Sequence, residues 1–365
     1  MSSQIPLRKI GNTDVPAIGF GMMGLSVWYG AVQSDEERLK VLDAAYESGC
    51  RFWDTADIYG DSEELIGKWF KLNPGKRDQI FLATKFGARL DGPSRGTPEY
   101  VKQQCQESLR KMGVDYIDLY YQHRVDASTP IEKTVGAMAE LVKYALFPFV
   151  IHTSTTSNHP LPPSRAGKVK YLGLSECTPT GLRRASSIHP ISALQIEFSA
   201  LERPPAELLK TARELGTKII AYSPLGRGFL TGQIRSLTDV QDSDGDFDLR
   251  TVLPKVIAEG NFEKIMQLAD VIKRVGDKHE HRATAGQAAL AWVLEQGEDL
   301  FVIPGTKKVK YLLENAGAAR VHLTPGDVEE ITKAAEATDL PGDRYPSNGL
   351  QEALYVESPP LEESA

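Results

Sequence analysis

The sequence predicts a single (β/α)8 barrel of the TIM type, with an N-terminal hairpin and extra helices. Three observations lead there. Short apolar or β-branched runs recur eight times along the 365 residues, at Ala17–Phe20, Arg51–Asp54, Ile80–Thr84, Ile117–Gln122, Val169–Leu174, Ala193–Phe198, Lys218–Tyr222 and Leu300–Ile303. Their near-continuous apolarity suits parallel strands covered on both faces. Helical segments alternate with them, and no second composition regime interrupts the pattern, which favours a closed barrel over a doubly wound sheet.

The elements follow in order. Pro6–Pro16, with Gly11-Asn12 as its turn signal, reads as a hairpin able to plug one end of the barrel. Ser34-Asp-Glu-Glu37 is a capping box that opens a helix to about Ser48, which Gly49 stops. Thr97-Pro98-Glu99 opens a helix that ends at Gly113. Another helix ends near Lys143. Thr178-Pro179 repeats the cap-and-proline start, and Pro204-Pro205 precedes a helix that ends at Gly216. Asn261–Val275 and Thr284–Glu295 give two helices before the eighth strand. Val309–Ala318 follows that strand, and Thr324-Pro325 opens a last helix to about Thr338. Residues 1–340 thus form one domain. Residues 341–365, rich in Pro, Gly and acids, read as a loop and then a loose end.

Tyr144–Arg165 breaks the rhythm. A helix-to-strand link needs only a few residues, yet this insert carries four prolines, a Thr/Ser cluster and no periodicity. It reads as a retained intron, the alternative being a genuine surface loop on the face opposite the active site. A Lys codon before a Tyr codon can supply the donor, an Arg codon can supply the acceptor, and removal in whole codons preserves the frame. Lys143 then joins Ala166, with Ala166-Gly167 as the helix stop.

Composition narrows the function. An apolar content of 41% and a charged content of 25% are ordinary for a globular chain. The net charge of −7, without a long basic run, argues against nucleic acid or an anionic membrane as partner. The longest apolar run, Tyr144–Ile151, is too short to span a bilayer and contains Pro148. Met1–Ile10 has no apolar signal core. Three scattered cysteines, Cys50, Cys105 and Cys177, suit thiols in a reducing compartment, so a cytoplasmic protein is expected.

Some motifs carry less than they suggest. Gly19-Phe-Gly21-Met-Met-Gly24 matches a dinucleotide fingerprint, but no helix signal comes before Ser34, so a glycine-rich loop after the first strand is the better account. Asp242–Asp248 resembles a calcium loop without its glycine or its final acid. His279-Glu-His281 has no third ligand nearby. No metal site is expected.

The stronger signal is positional. Asp54 ends the second strand and Tyr59 follows in its loop; Lys85 ends the third and His123 the fourth. In a barrel those three ends are neighbours at one rim. An acid, a phenol, an ammonium and an imidazole at one rim suit proton transfer.

The chain here resembles the aldo-keto reductases, in a microbial and fungal branch. The motifs are Asp54-Thr-Ala-Asp-Ile-Tyr59-Gly, Ala83-Thr-Lys85, Leu119-Tyr-Tyr-Gln-His123-Arg-Val-Asp126, Val169-Lys-Tyr-Leu-Gly-Leu-Ser175-Glu, Gln195-Ile-Glu-Phe-Ser, Ala221-Tyr222-Ser-Pro-Leu-Gly226-Arg-Gly-Phe-Leu-Thr-Gly232 and Ile303-Pro-Gly-Thr306-Lys with Glu314-Asn315. The resemblance implies NADPH-dependent reduction of an aldehyde or ketone, reversible, with Tyr59 as general acid. Lys85, paired with Asp54, would lower the phenol pKa, and His123 would orient the carbonyl. Tyr222 would stack on the nicotinamide, with Ser175 and Gln195 on its carboxamide. Ser223, Leu225, Gly226 and Arg227 would line the pyrophosphate. Gly305, Thr306, Lys307, Lys308, Glu314 and Asn315 would hold the adenine end, with Lys307 and Lys308 on the 2′-phosphate of NADP. The loop Leu237–Gly260 matches the family only loosely. The resemblance also extends to NADP-binding auxiliary or sensor subunits with little turnover. The carbonyl substrate and the oligomeric state stay open; specificity is expected from Met22–Tyr29, Arg89–Gly96, Arg124–Asp126 and the C-terminal tail.

Overall fold

A computed structural model describes residues 5–143, 167–240, 246–279, 282–347 and 349–361. Strands β1 (Leu7–Ile10) and β2 (Thr13–Pro16) form the expected antiparallel hairpin. Gly11 turns it in the left-handed region at φ 56°. Ile10 and Val15 are fully buried and stopper the barrel from below.

Eight parallel strands follow: β3 (Phe20–Gly21), β4 (Phe52–Asp54), β5 (Phe81–Phe86), β6 (Ile117–Gln122), β7 (Val169–Ser175), β8 (Ala193–Glu197), β9 (Lys218–Tyr222) and β10 (Leu300–Val302). Each pairs with the next in chain order. Isolated bridges Ile18↔Val302 and Gly21↔Gly305 close the ring. The first run is displaced from Ala17–Phe20 because Ala17 and Gly19 bond to Val302 across this seam rather than to β4. The glycines of the false fingerprint serve close packing: a Cβ on Gly21 would lie 2.6 Å from the Ile303 carbonyl oxygen.

The helices are α1 (Met23–Ser26), α2 (Asp35–Glu47), α3 (Ser62–Leu72), α4 (Pro98–Met112), α5 (Ile131–Lys143), α6 (Pro179–Ile188), α7 (Ala206–Glu214), α8 (Pro254–Ile257), α9 (Asn261–Asp277), α10 (Ala285–Leu294), α11 (Val309–Gly317) and α12 (Pro325–Ala337). Sequence reading missed α3. Its N-cap, Asp61, makes no side-chain cap bond, so the usual start signal is absent. Tertiary burial of Leu65, Ile66, Trp69 and Phe70 holds it instead. No helix among the described residues is long and apolar enough to cross a membrane.

Apolar side chains separate into layers. Phe52, Phe81, Ala83, Leu119, Tyr121, Ala193, Ile220 and Phe301 pack inside the barrel with the hairpin plug. A larger cluster lies between strands and helices. The loosely matching loop contributes a third, where Leu249, Leu253 and Val256 pack against Phe229, Ile265 and Tyr345.

Tyr144–Arg165, read as a retained intron, lies outside the described residues. Its flanks do not. The Lys168 N–H donates to the Leu141 carbonyl at 3.1 Å. Two sister junctions show what that bond belongs to. At the end of α4, Val114 N–H bonds to Leu109 O at 3.1 Å, and at the end of α7, Thr217 N–H bonds to Ala212 O at 2.8 Å. In each, a left-handed glycine, Gly113 or Gly216, precedes the donor. This is the Schellman closure, in which a residue bonds back to the carbonyl five positions earlier. Joining Lys143 to Ala166 gives Leu141 and Lys168 that same spacing and puts Gly167 at the glycine position.

Deletion of residues 144–165 is therefore expected to leave the barrel intact. A cooperative melt at or above that of the full chain would agree. Loss of soluble folded protein would show that the segment is needed. A peptide from the natural source joining Lys143 to Ala166 would identify the spliced form directly.

Candidate active site

Alternation along each strand decides which residues enter the barrel. The inward set continues two residues at a time towards the C-terminal rim: Phe52 leads to Asp54, Ala83 to Lys85, Tyr121 to His123, Ala193 to Gln195, and Ile220 to Tyr222. Apolar side chains fill the bottom and ionisable ones gather at the top, where active sites of this architecture sit.

Four sequence-predicted residues meet there. Lys85 is fully buried, and its ammonium donates to Asp54 Oδ1 at 2.5 Å, to the Thr55 carbonyl at 2.7 Å and to Tyr59 Oη at 3.4 Å. All three of its protons are thereby used. The other Asp54 oxygen accepts from Gln195 Nε2 at 2.8 Å. The His123 ring stands edge-on to Tyr59 with centroids 5.6 Å apart.

Burial and charge set the protonation states. Burial works to lower the Lys85 pKa, but Asp54 and Tyr59 outweigh it and hold the group above its ordinary value. Burial pushes Asp54 up, against the Lys85 ammonium and Gln195. Burial, then Arg124 and Lys85, drive the His123 pKa well down, so its ring is neutral at neutral pH. Burial raises the Tyr59 phenol above its ordinary value, while Lys85 pulls it down, as expected, by its charge and its hydrogen bond; burial is the larger effect.

Residues expected around a dinucleotide continue along the same rim. Ser175 is buried, with Arg124 Nη1 donating to its hydroxyl at 3.2 Å. Tyr222 donates its hydroxyl to Glu176 Oε1 at 2.7 Å. Ser223, Gly226 and Arg227 all take left-handed backbone angles in the turn after β9. Built onto Gly286, a Cβ would lie 3.5 Å from Glu314 and 3.8 Å from Leu225, so the two expected ends of the cofactor groove converge there. Asn315 is buried beside them. Thr306 Oγ1 accepts from Lys308 N at 3.1 Å, and Gly305 is bridged to Gly21.

Two roles shift. The Lys307 ammonium bonds to the carbonyls of Tyr29 and, at 2.7 Å, Ala31, tying two loops together. Lys308 is exposed. The Arg227 guanidinium turns inward to Glu197 at 2.9 Å and over the Tyr345 ring at 4.9 Å, which leaves its backbone facing the turn.

The family model for the aldo/keto reductase family matches residues 17–336. The chain belongs to the aldo/keto reductase family. It is 53% identical to aldo-keto reductase str7 of Strobilurus tenacellus, over 98% of this chain and 99% of that one. It is 42% identical to aldo-keto reductase yakc [NADP(+)] of Schizosaccharomyces pombe, again over 98% and 99%. The solved glycerol dehydrogenase of Gluconobacter oxydans shares the fold, with a TM-score of 0.74 at 22% identity, covering 95% of this chain and 99% of that one.

In this reductase the C-terminal tail is not loose as far as Leu361. Among its described residues it has no helix or strand beyond α12, yet Arg344, Tyr345 and Ser358 are buried. Tyr355 N bonds to Glu176 O at 2.9 Å, and Ile131 N to Ser358 Oγ at 3.0 Å. Arg344 enters a group of acids, 2.8 Å from Glu176, 3.0 Å from Glu202 and 3.5 Å from Glu197. Arg227 on Glu197 and Lys255 on Glu202 complete the balance. Sequence reasoning missed Glu176, Glu197 and Arg344. The single available signal was the Arg344-Tyr345 pair within an otherwise acidic tail.

Removing one partner of a buried ion pair leaves the other charge uncompensated, at a cost of about 3–5 kcal/mol. Arg344→Ala is expected to lose that much stability in urea denaturation. A loss below about 1 kcal/mol, the scale of a surface pair, would show that the tail contributes little to the fold.

Proposed function

We propose that this enzyme reduces an aldehyde or ketone to the alcohol with NADPH, reversibly, in the cytosol. The observation that carries the reading is the closed network Gln195–Asp54–Lys85–Tyr59 at the barrel rim, with neutral His123 beside it. Bound NADPH supplies the hydride. The groove fits such a cofactor: Ser175 and Gln195 lie at one end, Tyr222 and the left-handed turn at Ser223–Arg227 follow, and Lys308 with the start of α11 lies at the other. Backbone N–H groups in left-handed turns and at helix starts suit phosphates.

The chain's own residues divide the remaining work. Tyr59, protonated at neutral pH, gives its proton to the carbonyl oxygen as negative charge develops there. Lys85 stands behind the phenol and stabilises the phenolate left by that transfer. Asp54 holds Lys85 charged and aimed. His123, neutral, orients the carbonyl oxygen and donates to it as charge grows. In the reverse direction the same tyrosine, as phenolate, takes the proton back. Buried, unpaired Cys50, Cys105 and Cys177 are consistent with a reducing compartment.

Two measurements test this. Tyr59→Phe should lower kcat by roughly 10²-fold or more, the scale of a lost general acid, while NADPH still quenches the protein fluorescence. Near-normal turnover of small aldehydes would exclude Tyr59 as the donor. Lys308→Ala should weaken NADPH relative to NADH by about 1.5–3 kcal/mol, as expected for a charge-assisted contact. Equal loss for both cofactors would place the 2′-phosphate elsewhere.

A further inference from the structure

The rim holds a further buried cation, Arg124, and the hydride chemistry gives it no task. Arg124 directly follows His123 and is 6% exposed. Its Nη1 donates to the His123 carbonyl at 2.7 Å and to Ser175 Oγ at 3.2 Å, both neutral acceptors. Its Nε is buried without a partner. Among the described residues no carboxylate lies within ion-pair distance of it. The other buried arginines of this face are treated differently: Arg344 meets Glu176, Glu197 and Glu202, and Arg227 meets Glu197. Lys85 has Asp54. Of the buried cations around the mouth, Arg124 is the one left without a counter-charge.

An unpaired buried cation is costly, and removing the cost takes an anion with hydrogen-bond acceptors. The guanidinium sits where such an anion would arrive with the substrate. Bonded to the His123 carbonyl and the Ser175 hydroxyl, it bridges the ends of β6 and β7; burial disfavours its charge, and Tyr222, Tyr345, Glu176 and Tyr59, in that order, favour it. The Ser223–Arg227 turn continues from Tyr222 at the end of β9, three strands along the barrel from β6, which carries Arg124. We infer that Arg124 anchors a carboxylate carried by the substrate close to its reactive carbonyl, making this reductase selective for 2-oxo acids or short-chain oxo acids. The planar fork of an arginine matches a carboxylate in two-point contact, which a lysine cannot reproduce. The short link from His123 to Arg124 fixes the spacing: an anion on Arg124 belongs to a group next to the carbonyl that His123 orients.

This inference rests on the carbonyl-reductase reading, so its test separates the two. Phenylglyoxylate and its methyl ester present the same ketone with and without the charge. With NADPH, the wild-type enzyme should show a kcat/KM ratio of acid to ester that falls at least tenfold in Arg124→Met, chiefly through the KM of the acid. Arg124→Lys, which keeps the charge and loses the fork, should give an intermediate ratio and serves if the methionine variant does not fold. An unchanged ratio, with acid and ester losing activity together, would overturn the inference and make Arg124 a stabiliser of the oxyanion or of the cofactor. Turnover of neither compound by the wild-type enzyme would overturn it as well. In that case a separate failure to reduce small neutral aldehydes would tell that the carbonyl-reductase reading had fallen too.

Discussion

The ion pair between Lys85 and Asp54 is the constraint around which the site is arranged. Both side chains are buried, at 0% and 3% exposure, where a lone charge would be strongly disfavoured. The pair is tolerable because each Lys85 proton and each Asp54 oxygen has a partner, with the Thr55 carbonyl, Gln195 and Tyr59 bonded around it. That satisfaction also dictates geometry. Lys85 has three protons and three acceptors, and one acceptor is the tyrosine hydroxyl. Asp54 has two oxygens, and one reaches β8. The network thus locks the ends of β4, β5 and β8 to one another and leaves the phenol facing the mouth.

Charge around the mouth follows the same rule with one exception. Glu176, Glu197 and Glu202 share Arg227, Arg344 and Lys255, so three acids meet three bases. Arg344 comes from the tail, which makes the last segment of the chain part of the electrostatic balance at the rim. Arg124 lacks such a partner, and a site that neutralises its other buried charges directs attention to that one. The Tyr222 hydroxyl links the two systems, bonded to Glu176 and 3.2 Å from Tyr345 Oη.

Much of this was legible beforehand, for identifiable reasons. Parallel strands covered on both faces leave long apolar runs, so β6 and β9 coincide with the runs at Ile117–Gln122 and Lys218–Tyr222. Local N-cap signals, Ser34 for α2 and Thr324-Pro325 for α12, predict these helices because the cap bond is local: Ser34 accepts from Glu37 N, and Thr324 and Asp327 close a full capping box. Helix α3 was invisible because its start carries no such bond and its stability comes from Trp69 and Phe70 packing on the barrel. The ordered tail was invisible for a related reason: Arg344 is an ordinary charged residue in sequence and becomes structural only where three distant glutamates converge.

The sequence by itself determined the order of strands and helices and the position of Asp54, Tyr59, Lys85 and His123 at the strand ends, since these follow from apolar runs and short-range signals. Tertiary structure decided what those groups are worth. Burial raises the Tyr59 phenol above the value that Lys85 alone would set, keeps His123 neutral, ties Lys307 to two loop carbonyls and turns Arg227 inward. Each depends on the dielectric and on partners remote in the chain, and no local pattern encodes either.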